Sequence, residues 1–144
     1  MERSSRPPRY FTLDEARHTL PQVRSCIERL QTLGAEVARL QQAMQEGGHD
    51  LRQAPPAQNG AAQNGSGRRV YDALARTEAL LGEMRLLVGE LEGIGCEVKD
   101  VQTGLVDFRA MRDGRAVYLC WRLGEEDIEF WHELDAGFAG RQPL

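Results

Sequence analysis

The chain has 144 residues, 41% hydrophobic and 28% charged, with a net charge of −4, the balance of an ordinary globular protein. A chain of this length can bury a core without disulfides or metal, so one domain is expected. Its acidic balance lacks the broad positive field that nucleic-acid binding needs, and because only Lys99 among its 18 basic residues is lysine, the arginine excess reads as coding bias.

Nothing in residues 1–8 leads into an apolar stretch, and no run approaches the length of a membrane span, so neither secretion nor membrane insertion is expected. Cys26, Cys96 and Cys120 make an odd count with no CxxC spacing. That argues against a disulfide framework and a zinc ribbon, and for a reducing, cytoplasmic setting.

Taken in chain order, residues 1–9 carry Pro7-Pro8 and three arginines and read as a flexible N-terminal tail, with the single domain spanning 10–144. Thr12-Leu13-Asp14-Glu15 has the pattern of a capping box and starts a helix. Pro21 inside the pattern predicts a short separate helix or a kink. Beyond it Val23, Cys26, Leu30, Leu33, Val37, Leu40 and Met44 follow a heptad. A second seam runs through Val70, Leu74, Thr77, Leu81, Met84, Val88 and Leu91, widened by Leu80, Leu87 and Ile94, which predicts that the second helix is the more buried. Residues 47–67 between the seams hold two copies of Ala-Gln-Asn-Gly and read as a low-complexity, disordered linker.

Gly93 and Gly95 close the second helix, and the pattern then turns to strands. These are Cys96–Lys99, Gly104–Phe108 and Ala116–Leu123, with Asp113-Gly114 as a tight turn. A four-residue loop at 124–127 would pair Leu123 with Ile128, Arg122 with Glu129, Trp121 with Phe130 and Cys120 with Trp131. His132 would then share a face with Leu119 and Trp121, opposite the face bearing Tyr118, Cys120 and Trp131. The expected fold class is α+β: a long antiparallel, coiled-coil-like helical hairpin packed with a small antiparallel β-sheet that ends in a C-terminal β-hairpin.

The segments 103–108 (TGLVDF), 117–125 (VYLCWRLGE), 131–133 (WHE) and 137–143 (GFAGRQP), with the opening 10–16 (YFTLDEA) and Leu20-Pro21, resemble an uncharacterised bacterial family, domain of unknown function 2203. The resemblance covers nearly the whole chain apart from the linker and implies a bacterial cytoplasmic protein. It implies no activity, cofactor or catalytic residue.

Three constellations carry chemistry. His132, Glu133 and Asp135, with Cys120 and Asp107 nearby, offer ligands for Zn²⁺ or another divalent metal. The segment is not HExxH, and the expected register sets Cys120 and His132 on opposite faces, so a hydrogen-bonded structural histidine is the competing reading. Arg141, after Gly137-Phe138-Ala139-Gly140, is an anion-binding candidate; alternatively the loop is a turn with Phe138 tucked inward and Arg141 paired to a carboxylate. Cys120 as a nucleophile lacks any visible base.

One thin sheet covers only part of two long helices, which favours self-association through Leu40 and Leu81, with Tyr118 and Trp131 as a second contact on the sheet. The resulting expectation is a non-enzymatic interaction domain, homodimeric or bound to a protein partner, without nucleic acid, membrane or required cofactor. The alternative is a small-ligand, anion or divalent-metal domain built on His132, Glu133, Asp135 and Arg141.

Overall fold

A computed structural model describes residues 7–53 and 66–144. The capping box forms as read: the Thr12 N–H donates to Glu15 Oε1 at 2.9 Å and the Glu15 N–H donates to Thr12 Oγ1 at 3.1 Å. Helix α1 then runs from Leu13 to Gln53 and α2 from Ser66 to Ile94. Pro21 lies inside α1 and does not split off a separate first helix. Its side is exposed, so the ring meets solvent rather than the core.

The segment expected as linker is helical at 47–53 and 66–67, because lengthening an established helix adds a hydrogen bond per residue without a new nucleation cost. Residues 54–65, with the repeat, lie outside the described residues, as do 1–6 of the expected tail. Arg9, also assigned to that tail, donates from Nη1 to the Ile94 carbonyl at 2.9 Å and stacks on the Phe11 ring.

The chain divides into two compact units, Met1–Arg29 with Leu87–Leu144, and Leu30–Leu86. A 41-residue helix is about 60 Å long, twice the width of a small core.

In the first unit α1 buries Ala16, Leu20, Val23, Cys26 and Ile27. Phe11 meets Phe108 edge-on at 5.2 Å, and Arg24 lies over Trp121. The Glu90 carboxylate of α2 accepts from Gln22 Nε2 at 3.0 Å and from Cys26 Sγ at 3.6 Å. In the second unit Leu30, Leu33 and Val37 of α1 and Thr77 and Leu80 of α2 are buried, and Arg76 pairs with Glu36 at 3.2 Å.

The α1 seam is buried as expected from Val23 to Val37, with Ile27 added, while Leu40 and Met44 at its far end are only half-buried. On α2 the buried row passes through Thr77, Leu80 and Leu91, while Leu74 and Val88 of the expected seam are exposed. α1 is therefore the more buried helix, reversing the expectation. α2 carries leucines around most of its circumference, and periodicity alone cannot choose among overlapping rows.

Five strands follow: β1 (Glu97–Asp100), β2 (Leu105–Arg112), β3 (Arg115–Arg122), β4 (Phe130–Glu133) and β5 (Gln142–Pro143), with a 3₁₀ turn at Phe138–Gly140. They form one antiparallel meander in sequence order. Asp113 and Gly114 make the two-residue turn between β2 and β3, both at positive φ (52° and 80°).

The β3–β4 register differs by one residue from the expected one: Tyr118 pairs with His132, Leu119 with Trp131 and Cys120 with Phe130. A one-residue shift turns every β4 side chain to the other face. The connection is longer than four residues, running from Leu123 to Glu129, and closes on itself. Trp121 Nε1 donates to the Glu125 carbonyl at 2.9 Å, and the Arg122 N–H donates to the Glu125 carboxylate at 2.8 Å. Arg122 stacks on Phe138 rather than pairing with Glu129, and Arg115 pairs with Glu133. The expected register would also have put His132 on the apolar helix-facing side, where its ring nitrogens lack partners.

Candidate functional site

The face of the sheet carrying Val106, Phe108, Ala110, Val117, Leu119 and Trp121 packs into the apolar core of its unit. The opposite face is set by the same register: one row holds Glu97, Asp107, Cys120 and Phe130, and the next holds Arg109, Tyr118 and His132. Strand alternation thus brings a polar cluster together on a face that is nonetheless closed, since Asp107, Cys120, His132 and Tyr118 are all buried.

At its centre the ligand atoms of Asp107, Cys120 and His132 all lie within 4.8 Å of one another. His132 Nε2 stands 3.2 Å from both Asp107 oxygens. Its Nδ1 lies 2.7 Å from the Glu133 carbonyl, an atom that can only accept, so Nδ1 carries hydrogen. Burial pushes the Asp107 carboxyl above its ordinary range, partly opposed by His132. Burial, reinforced by the neighbouring Asp107 carboxylate, pushes the Cys120 thiol up to about 12. A thiol so held is protonated at neutral pH and less nucleophilic than an exposed one, with Arg141 only partly opposing the rise.

Beside this triad, Tyr118 donates its hydroxyl to Glu97 Oε1 at 2.8 Å and accepts from Arg109 Nη2 at 2.9 Å. Lys99 and Arg109 pair with Glu97 at 3.1 and 3.3 Å. Burial raises the Glu97 carboxyl, but hydrogen bonds from Tyr118 and Lys99 and the charges of Lys99 and Arg109 outweigh it, so its pKa is lowered overall.

Several candidates fall elsewhere than the sequence suggested. Glu133 is ion-paired with Arg115 and sits on the other face from His132, and Asp135 is exposed beyond β4. Asp107 takes the place those two were expected to fill. Arg141 lies between the rings of Phe130 and Phe138, at 4.0 and 4.5 Å, and donates to Glu125 Oε2 at 2.7 Å. That is the carboxylate-paired turn rather than an anion loop, although Phe138 is exposed rather than tucked in. Tyr118 and Trp131, expected together on the sheet's outer face, are buried on opposite faces, with Arg112 and Arg115 over Trp131. Leu40 and Leu81 are half-buried.

The network of Glu97, Lys99, Arg109 and Tyr118 escaped the sequence reading. Its trace is the spacing of two between Glu97 and Lys99 on β1 and between Asp107 and Arg109 on β2, which acquires meaning only once the strand register is known. A cleft of about 560 Å³ is lined by Arg24, Glu28 and residues 123–127 and by none of the triad residues.

On α2, Tyr71 and Leu74 are 71% and 50% exposed, and Leu81 follows Leu74 by one heptad. Among the described residues no helix is long and apolar enough to cross a membrane. The sequence profile of a family described as an uncharacterized conserved protein (DUF2203) matches residues 9–144. No curated protein and no solved structure matches the chain.

Proposed function

The chain belongs to the DUF2203 family, and from its surface we propose that it is a non-enzymatic interaction domain of the cytosol that pairs with a second copy of itself through the helical hairpin. The observation that carries this reading is the strip of Tyr71, Leu74 and Leu81 on α2, at spacings of three and seven, in which Tyr71 and Leu74 are open to water and Leu81 is half-buried. A strip of this kind on one copy is offered identically by the next, which suits a two-fold pairing. The protonated, buried Cys120 and the closed His132 support a role without catalysis. Three free thiols fit a reducing compartment, and the net charge of −4 favours protein over nucleic acid as partner.

Light scattering of the purified chain across a concentration series tests the proposal. A dimer that Tyr71→Glu and Leu74→Glu convert to monomer is the expected result. A chain that stays monomeric at every concentration overturns it.

A further inference from the structure

Asp107, Cys120 and His132 sit 13 and 12 positions apart along three strands, and only the sheet register brings them together. Each is buried, and one potential ligand atom of each lies within 4.8 Å of the other two. Because Nδ1 of His132 gives its hydrogen to the Glu133 carbonyl, the neutral ring presents a bare Nε2 lone pair. That lone pair faces the two Asp107 oxygens at 3.2 Å. Two acceptors this close repel unless a positive species stands between them. In the metal-free chain that species is a proton shared by the pair. A metal ion fills the same position with higher charge and also engages the thiol.

We infer that Asp107, Cys120 and His132 form a binding site for one divalent transition-metal ion of the Zn²⁺ type. Three observations support this choice of ligand. One sulfur, one imidazole nitrogen and one carboxylate oxygen make a borderline-soft donor set that suits Zn²⁺ or Co²⁺ and not Mg²⁺ or Ca²⁺. Tetrahedral bonds of about 2.0–2.3 Å place neighbouring donors roughly 3.3–3.8 Å apart. The Nε2–Oδ separations already match that edge to within a small adjustment, and Sγ needs only a short approach. Finally, the hydrogen bond from Nδ1 to a backbone carbonyl is the outer contact that a metal-bound histidine ordinarily makes, and it orients the ring before any metal arrives.

The charges balance as well. The thiol is neutral, and the carboxyl and imidazole with one shared proton sum to zero. Binding sends the thiol proton and the shared proton to solvent, and the ion with thiolate, carboxylate and neutral imidazole again sums to zero. A buried site therefore gains no net charge on loading. Among the described residues no fourth histidine, cysteine or acidic residue joins the group.

The test is a titration of the metal-stripped full chain with Co²⁺, followed by displacement with Zn²⁺. The expected result is saturation at one ion per chain, with an intense near-ultraviolet thiolate-to-cobalt band that Zn²⁺ removes. Cys26→Ser/Cys96→Ser keeps the band and Cys120→Ser abolishes it. Asp107→Asn and His132→Gln weaken Zn²⁺ affinity by at least the roughly 10- to 100-fold that even an outer partner is worth. A folded wild-type chain without saturable binding, or a band that survives in Cys120→Ser, overturns the inference. Should Cys120→Ser fail to fold, the Cys26→Ser/Cys96→Ser chain decides alone. Its one remaining thiol is Cys120, and absence of the thiolate band there overturns the site. Oligomeric state is read separately, so a monomer that binds metal or a dimer that does not keeps this inference apart from the hairpin proposal.

Discussion

His132 and Asp107, 25 residues apart in sequence, meet inside the sheet with the imidazole Nε2 equidistant from the two carboxylate oxygens at 3.2 Å. Neither side chain has access to solvent, so Nε2 of His132 and the carboxyl of Asp107 rely on one another to satisfy this contact.

Removing one member therefore leaves the other short of a buried partner. His132→Ala is expected to lower stability by about 3 kcal/mol, most of it the cost of a buried carboxyl left without its partner. Asp107→Leu/His132→Phe should lose less than the two single changes together, by about 1–3 kcal/mol of coupling. Urea denaturation of the four chains measures both quantities. Additive losses would show that the two residues act independently.

Two carboxyls move in opposite directions and give opposite pH dependences. The Asp107 carboxyl is raised above its ordinary 3.8 by burial, so the folded chain holds that proton to higher pH than the unfolded chain, and the group costs stability as pH rises through this range. In Glu97, hydrogen bonds from Tyr118 and Lys99 overcome burial and lower the carboxyl below 4.5. Its stabilisation is present above that value and is lost as pH falls through the lowered one. Urea midpoints followed from strong acid to neutrality should show a shallower acid loss in Glu97→Gln. Asp107→Asn should lack the wild-type cost that appears on going from acid toward neutral pH.

The two leucine rows of α2 are separable by truncation. Leu80, 3% exposed, should cost about 2–4 kcal/mol when changed to Ala, whereas Leu74→Ala should stay near 0.5 kcal/mol. Equal losses in thermal or urea unfolding would return the buried seam to the row through Leu74 and Leu81.

Gly104 is held at φ +76°, its N–H donating to the Val101 carbonyl and its own carbonyl accepting from Leu123 N–H. A Cβ there would sit 2.5 Å from Leu123 Cβ and 3.4 Å from Ile27 Cγ2. Gly104→Ala thus combines a left-handed backbone with a clash into packed side chains, and should cost about 2–4 kcal/mol. Gly114, at φ +80° but with nothing within 4 Å of its added Cβ, should cost only about 1 kcal/mol as Ala. Denaturation midpoints of the pair separate strain from crowding.

All three cysteines are buried thiols. Burial pushes Cys96 and Cys120 up to about 12 and raises Cys26 as well. Alkylation at neutral pH should be slow in the folded chain and complete in urea, with Cys26 the first to react. Mass spectrometry resolves the order, and rapid labelling of Cys120 in folded protein would contradict its placement.

Local chemistry alone was enough to read the capping box at Thr12–Glu15, the α1 seam, the Asp113-Gly114 turn and the α+β class. Each depends on residues within a turn or two of one another, where hydrogen bonding and periodicity act directly. Strands β1 to β4 were legible for the same reason, although β2 continues to Arg112 and β5 was not foreseen. Register was not: Arg122 opposite Glu129 looked like the charge pair that would set β3 against β4, yet the loop from Leu123 to Glu129 folds around Glu125 and shifts the pairing by one residue.

That single step decides the site. With it, His132 leaves the apolar face and joins Asp107 and Cys120, and Glu133 turns away to Arg115. The same limit applies to α2, where Leu80 and Leu81 both continue a leucine row and only packing against α1 chooses between them. Sequence by itself determined the start of α1 and the presence of the two long helices and the strands β1 to β4, because those preferences are local, while the helix ends at 47–53 and 66–67 and the short β5 were not legible in it. Tertiary structure decided which faces those segments turn toward one another, because a period of two or of 3.6 leaves the absolute phase to be set by contacts far along the chain.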